Sequence, residues 1–249
     1  MTLAIDTPLA TTPLGRANPV AKLAAAAVVA AGLLVTVDVV TASVVLGAEV
    51  ACLPFAGVGW RFLARRAWPL PLAAAGVVVS NLVASNAGAE TTAAISLRLV
   101  AIALPGLVAF AATDPVDLAD SLHQQWRVPA RVAYGSLAAV RLLPLLSVEW
   151  QTIRRARRAR GIDAGRSPLA AAALFASAVF GLLVAAIRRA TRLAAAMESR
   201  GFEAGGPRTV ARRQVVRRAD WALVAGAAVV VGGANALAAG LGTWHPLLW

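Results

Sequence analysis

Residues 220–241 read DWALVAGAAVVVGGANALAAGL, and no charged side chain follows Asp220 up to Trp249. A helix rises about 1.5 Å per residue, so about 20 apolar residues cross the roughly 30 Å hydrocarbon layer. Four further stretches pass the same test, at approximately 20–37, 39–60, 68–88 and 91–112. Composition agrees with them. Of 249 residues, 59% are hydrophobic and 14% charged, against roughly 45–50% and about 25% in soluble domains. Disorder is excluded by the same apolar content. The expected fold class is all-α: a polytopic membrane protein with about five transmembrane helices. The first 19 residues are polar and broken by proline, so no cleavable signal peptide is expected.

Charge supplies the orientation. The 24 Lys+Arg against 12 Asp+Glu give a net charge of +12, and Lys22 is the only lysine. Arg16 and Lys22 lie at the N-terminus, Arg61, Arg65 and Arg66 in the second connection, and eighteen arginines between 113 and 218. The alternate connections, near Asp38, at Ser85–Glu90 and in the tail Gly242–Trp249, carry no Lys or Arg. Cationic loops stay cytoplasmic, which places the N-terminus inside and the C-terminus outside. Two other apolar stretches, 132–148 and 168–187, complicate the count. If 168–187 spanned alone, it would carry an arginine cluster to the outer face; a spanning hairpin of both would give seven spans. The reading preferred here keeps five spans and expects two long amphipathic helices, about 130–160 and 168–200, in or under the inner leaflet. The domain organisation is then a cytoplasmic segment 1–19, a four-helix transmembrane region 20–112, a cytoplasmic coupling region 113–218, and a final transmembrane helix with outer tail, 219–249.

The coupling region contains a repeat. Arg160-Gly161-Ile162-Asp163-Ala164-Gly165 and Arg200-Gly201-Phe202-Glu203-Ala204-Gly205 share the order Arg-Gly-apolar-acid-Ala-Gly, forty residues apart. Glycine after a helix end suits the left-handed C′ position, and a cation in the last turn complements the helix dipole. Helix capping explains Arg and Gly separately. The ordered recurrence of the rest suits a partner with two equivalent docking sites, such as a pair of ATPase subunits, each taking one guanidinium fork. The chain has no G-x-x-x-x-G-K-[ST] phosphate loop of its own.

These residues resemble the transmembrane T component of energy-coupling factor (ECF) transporters. Asn18-Pro19-Val20-Ala21-Lys22-Leu23 is similar to that family's Asp/Asn-Pro-x-x-Lys-Leu opening, and Asp114-Pro115-Val116-Asp117-Leu118 to its entrance into the coupling region. Arg141-Leu142-Leu143-Pro144-Leu145-Leu146, Glu149 and Ala156-Arg157-Arg158-Ala159-Arg160-Gly161 resemble the first coupling motif. Ala196-Met197-Glu198-Ser199-Arg200-Gly201-Phe202 resembles the second, with Ser199 where alanine is usual. The resemblance implies a non-catalytic subunit of an ABC importer that bridges two ATPases to a membrane-embedded substrate-binding S component. The substrate would be a vitamin or a transition-metal ion such as cobalt or nickel. Ala159, Arg160, Gly161, Ser199, Arg200 and Gly201 would then dock the ATPases. Leu174, Phe175, Val179, Phe180, Leu183 and Ile187 would face the S component, since with Leu169 and Leu182 they are too apolar for a solvated helix. The resemblance implies no cofactor bound by this chain; ATP would be used by the partner subunits.

Glu49 and Arg98 lie in spans running the same way and are expected to pair; snorkelling of Arg98 or a transport-path role are the alternatives. Arg154, Arg155, Arg157 and Arg158, and Arg212, Arg213, Arg217 and Arg218, suit anionic lipid. Trp60, Trp68, Trp244 and Trp249 fall where interfacial belts belong, and His123 and His245 are expected at the interfaces. One cysteine, Cys52, and two histidines exclude a disulfide and a Cys/His zinc site. Nucleic acid is a poor explanation of the charge, because no stacking aromatics interleave the arginines. The other classes considered are an integral-membrane enzyme acting on an anionic lipid, or a freestanding channel or carrier. Asp114, Asp117 and Asp120 superficially suit the enzyme, but are expected to serve the helix start.

Overall fold

A computed structural model of the chain describes residues 12–84, 88–162, 167–202, 210 and 212–243. Among these the regular elements are helices: α1 Pro13–Arg16, α2 Pro19–Leu34, α3 Val39–Cys52, α4 Trp60–Ala67, α5 Pro69–Ala84, α6 Ala89–Ala111, α7 Pro115–Gln125, α8 Ala130–Ala159, α9 Pro168–Ser199 and α10 Arg218–Gly240. Their starts follow local chemistry. Asn18 accepts from the Val20 N–H at 2.9 Å with Pro19 at N1. Asp114 accepts from Val116 at 2.7 Å with Pro115 at N1, and Ser167 from Ala170 at 3.3 Å with Pro168 at N1. In each, a side-chain oxygen satisfies an otherwise orphaned donor, and proline occupies the position whose N–H has no intrahelical partner.

Helices α6, α8, α9 and α10 are long and apolar enough to cross a membrane. The chain is an all-α, polytopic membrane protein. The expected boundaries need correction in two places. The stretch 20–37 is a 16-residue helix, only about 24 Å long; helix α5 covers 69–84 of the stretch 68–88, of which 85–87 lie outside the described residues. The stretch 39–60 is not one span. Helix α3 stops after 14 residues at Cys52, turns fill 53–57, and Trp60 begins α4. Pro54 cannot continue the backbone ladder, and the Val58 N–H returns to the Leu53 carbonyl at 3.1 Å. The long helix expected over about 130–160 is present as the unbroken α8, with Pro144 inside it.

The chain divides into two units. The described residues of Pro129–Arg212 form one, and those of Ile5–Val128 and Arg213–Trp249 the other. In the second unit, α2 and α3 pack against α6 and α10, with α5 on α6 and α7 on α2. Val29, Leu33, Val45, Ala101, Val231 and Ala234 make its centre, one cluster drawn from four helices. A Cβ added to Gly32 would overlap Val231 Cγ1, so glycine sets how closely α2 and α10 approach. In the first unit, α8 and α9 pack side by side, and only Ala133 of α8 and Ala178 of α9 are fully buried.

Candidate functional site

The two Arg-Gly tips have the same backbone. Arg160 caps α8 with φ −90° and ψ 7°, and Arg200 caps α9 with φ −90° and ψ 9°. Gly161 follows at φ +69° and Gly201 at φ +77°. The Gly161 N–H donates to the Arg158 carbonyl at 3.0 Å and the Ile162 N–H to Arg157 at 3.1 Å. On the other helix, Gly201 donates to Glu198 at 2.9 Å and Phe202 to Met197 at 3.0 Å. These are two Schellman motifs, whose second residue past the cap is commonly apolar. Capping thus accounts for Arg-Gly-apolar, one residue more of the repeat than the sequence suggested. Asp163, Ala164, Gly165, Glu203, Ala204 and Gly205 lie outside the described residues. Both cap arginines are exposed.

Contacts between α8 and α9 run in antiparallel order. Near the Arg160 end, Arg157 donates to the Leu174 carbonyl at 2.7 Å and to Ser177 Oγ at 2.9 Å. Trp150 meets Phe175 edge to face at 5.5 Å. Midway, Arg189 pairs with Glu149. At the other end, Tyr134 meets Phe202 edge to face at 6.4 Å. The two tips therefore sit at opposite ends of the pair, separated by the 26 residues from Tyr134 to Arg160, or about 40 Å at 1.5 Å per residue. Arg157 is a packing residue rather than part of a free lipid patch. Arg154 and Arg158 line the groove beside it, with Trp150 and Phe175.

The apolar residues of α9 divide between two faces. Phe180 is 68% and Leu183 53% exposed, and Phe175, Val179 and Ile187 are exposed with them. At 100° per residue Phe180, Leu183 and Ile187 lie roughly 140–180° around the helix from Ala178, which is 3% exposed, whereas Phe175 lies only about 60° from it and also touches Trp150 of α8. Leu174 is half-buried on the side turned to α8.

In the other unit, polar ties join segments far apart in sequence. The Asn18 N–H donates to Asp220 Oδ1 at 2.8 Å, and Asp220 Oδ2 accepts from the Arg217 N–H at 2.6 Å. Lys22 Nζ donates to the Ala112 carbonyl at 2.9 Å and to Gly15 at 3.1 Å. Asp117 Oδ1 accepts from Gln214 Nε2 at 3.1 Å, while Asp114 caps α7. Among the described residues, no three His, Cys, Asp or Glu side chains are placed to hold a metal. His123 Nδ1 lies 2.9 Å from the Val128 carbonyl at the end of α7. Trp60 and Trp68 are exposed; Trp244, His245 and Trp249 lie outside the described residues. The expected Glu49–Arg98 pair does not form. Both Glu49 carboxylate oxygens are buried without a hydrogen-bond partner. Glu49 shares a cavity with Leu104, Pro105 and Val108 of α6, which come at least six residues after Arg98, about 9 Å along that helix.

The family model for CbiQ, the cobalt transport protein, matches residues 10–210, which include the Asn18–Leu23 opening and both capped tips. The chain belongs to the CbiQ family. Its relatives include energy-coupling factor transporter transmembrane proteins, EcfT. That of Limosilactobacillus fermentum is 32% identical over 144 residues, 55% of this chain and 54% of the relative. That of Lacticaseibacillus paracasei is 34% identical over 147 residues, 55% of each. That of Bacillus subtilis is 30% identical over 138 residues, 52% of each. The chain spans about half the length of the curated relatives it matches.

For this CbiQ-family chain, Asp220 is the structural residue that sequence reading missed. It is 3% exposed and takes two backbone donors, one from 202 residues away. The one local hint was a carboxylate three residues past the N-cap Arg217, the position that reaches back to the N-cap N–H. Asp220→Ala is expected to lower stability by about 2–4 kcal/mol, because two donors lose their acceptor, one of them in a buried hydrogen bond. Asp220→Asn keeps one acceptor oxygen and should fall between. Thermal melting of the purified protein in detergent reads this; a wild-type midpoint for Asp220→Ala would show that the two N–H groups find other acceptors.

Proposed function

We propose that this chain is the transmembrane coupling subunit of an ECF-type ABC importer. It joins two ATPase subunits to a membrane-embedded S component and passes their ATP-driven motion on for uptake of a vitamin or transition-metal ion. The chain itself is non-catalytic, binds no cofactor and sits in the cell membrane with its N-terminus cytoplasmic and C-terminus outside. The observation carrying this reading is the pair of identically capped arginine tips at opposite ends of α8 and α9. Two equivalent ends about 40 Å apart by helix rise suit two copies of one kind of partner. The exposed face around Phe180 and Leu183 supplies an apolar surface for a third. Both the membrane matches among relatives and the arginine-free loops support the placement.

Purification in mild detergent should recover two ATPase subunits and one small membrane protein with this chain. Recovery of the chain alone from cells that express its neighbours would defeat the proposal. Orientation is read in the Cys52→Ala background. Ala87→Cys and Gly242→Cys should react with an impermeant maleimide on intact cells, whereas Ala164→Cys and Ala204→Cys should not. External reaction at Ala164→Cys would invert the coupling region.

A further inference from the structure

Between α2, α3, α6 and α10 lies a partly open cavity of about 350 Å³. Val29, Val45, Leu104, Val108, Leu223 and Val230 set its apolar character, and Lys22 and Glu49 are the charged side chains among its lining. Both Glu49 oxygens are buried and unpartnered among the described residues, although such acceptors are ordinarily satisfied. Lys22 spends two of its three N–H donors on the Gly15 and Ala112 carbonyls. Cys52 also lines the cavity and is exposed, so the space has an opening at the end of α3. A Cβ on Gly226, another lining residue, would meet nothing within 4 Å.

We propose that this cavity binds a neutral amphiphile whose hydroxyl donates to Glu49 while its alkyl chain fills the apolar walls. The room suits about eight to twelve carbons, since a water-sized group takes roughly 30 Å³. Charge selects the head. A cationic head would share the cavity with the Lys22 ammonium, and an anionic one with Glu49. A hydroxyl can donate to Glu49 and brings no net charge into the cavity. A purely apolar ligand would leave Glu49 unpaired. None of this depends on the coupling role of α8 and α9.

Cys52 is the only cysteine, so its alkylation reports the cavity without labels elsewhere. The full chain in phosphatidylcholine nanodiscs is treated with N-ethylmaleimide, and the rate is followed by mass. At about four times its Kd, 1-decanol should slow alkylation roughly fivefold, and decane much less. Glu49→Leu should bring decanol down to the level of decane. Gly226→Leu fills the space and should abolish protection by both, a second route if Glu49→Leu does not fold. Equal protection by decanol and decane in the wild type would overturn recognition by Glu49. No protection by either, or decanol protection surviving in both variants, would overturn the site.

Discussion

Replacing Arg160 and Arg200 together by alanine is expected to strip the ATPase subunits from the purified complex. The backbone makes this a clean test. The unusual positive φ belongs to Gly161 and Gly201, so alanine at the cap keeps every Schellman bond. If the arginines only complement helix dipoles, each loss costs about 0.3–1 kcal/mol and assembly survives. If each guanidinium pairs with a buried carboxylate of the partner, truncation costs about 2–5 kcal/mol per site, roughly thirty- to several-thousand-fold in affinity. Each single variant should weaken one ATPase contact. Arg→Lys should rescue poorly, because one ammonium cannot reproduce a planar fork. The control is Arg154→Ala, which should be mild. Arg157→Ala is unsuitable as a control, since it would release the Leu174 and Ser177 bonds that tie α9 to α8. A double variant that holds its ATPases and still drives uptake would reduce both tips to helix caps.

The second large effect is expected on the exposed face of α9. Phe180→Asp and Leu183→Asp should leave the ATPases bound but release the S component. Both side chains point away from the α8 contact, so a carboxylate there leaves the helix pair intact. Buried under a partner, the same carboxylate would be stranded without a counter-ion, at a cost of several kcal/mol. That is more than about a hundredfold in affinity. Ala178→Asp separates the two faces: it puts the charge into the α8–α9 packing and should unfold the pair, losing both kinds of partner. Co-purification of the S component at wild-type yield with both Phe180→Asp and Leu183→Asp would show that this face meets only lipid.

The sequence by itself determined the features governed by short-range chemistry. The helix start at Asp114-Pro115, and the stops at Gly161 and Gly201, were legible because capping bonds close within six residues; the Asn18-Pro19 and Ser167-Pro168 caps obey the same local rule but emerged only with the structure. Apolar length did the same for α6 and α10, and the forty-residue repeat exposed the two tips. Tertiary structure decided what depends on which faces meet. Asn18 finds Asp220 and Lys22 finds Ala112 across 202 and 90 residues, distances at which no periodicity carries information. The antiparallel packing of α8 on α9 put the tips at opposite ends, took Arg157 into the contact, and turned Leu174 inward from the stripe it shared in sequence. Packing of α3 on α6 put Glu49 on a cavity with Leu104 and Val108, without a hydrogen bond to Arg98. The physical reason is common to all of these. Local bonds are chosen by neighbours along the chain, whereas a buried polar group takes whichever partner packing brings within 3 Å.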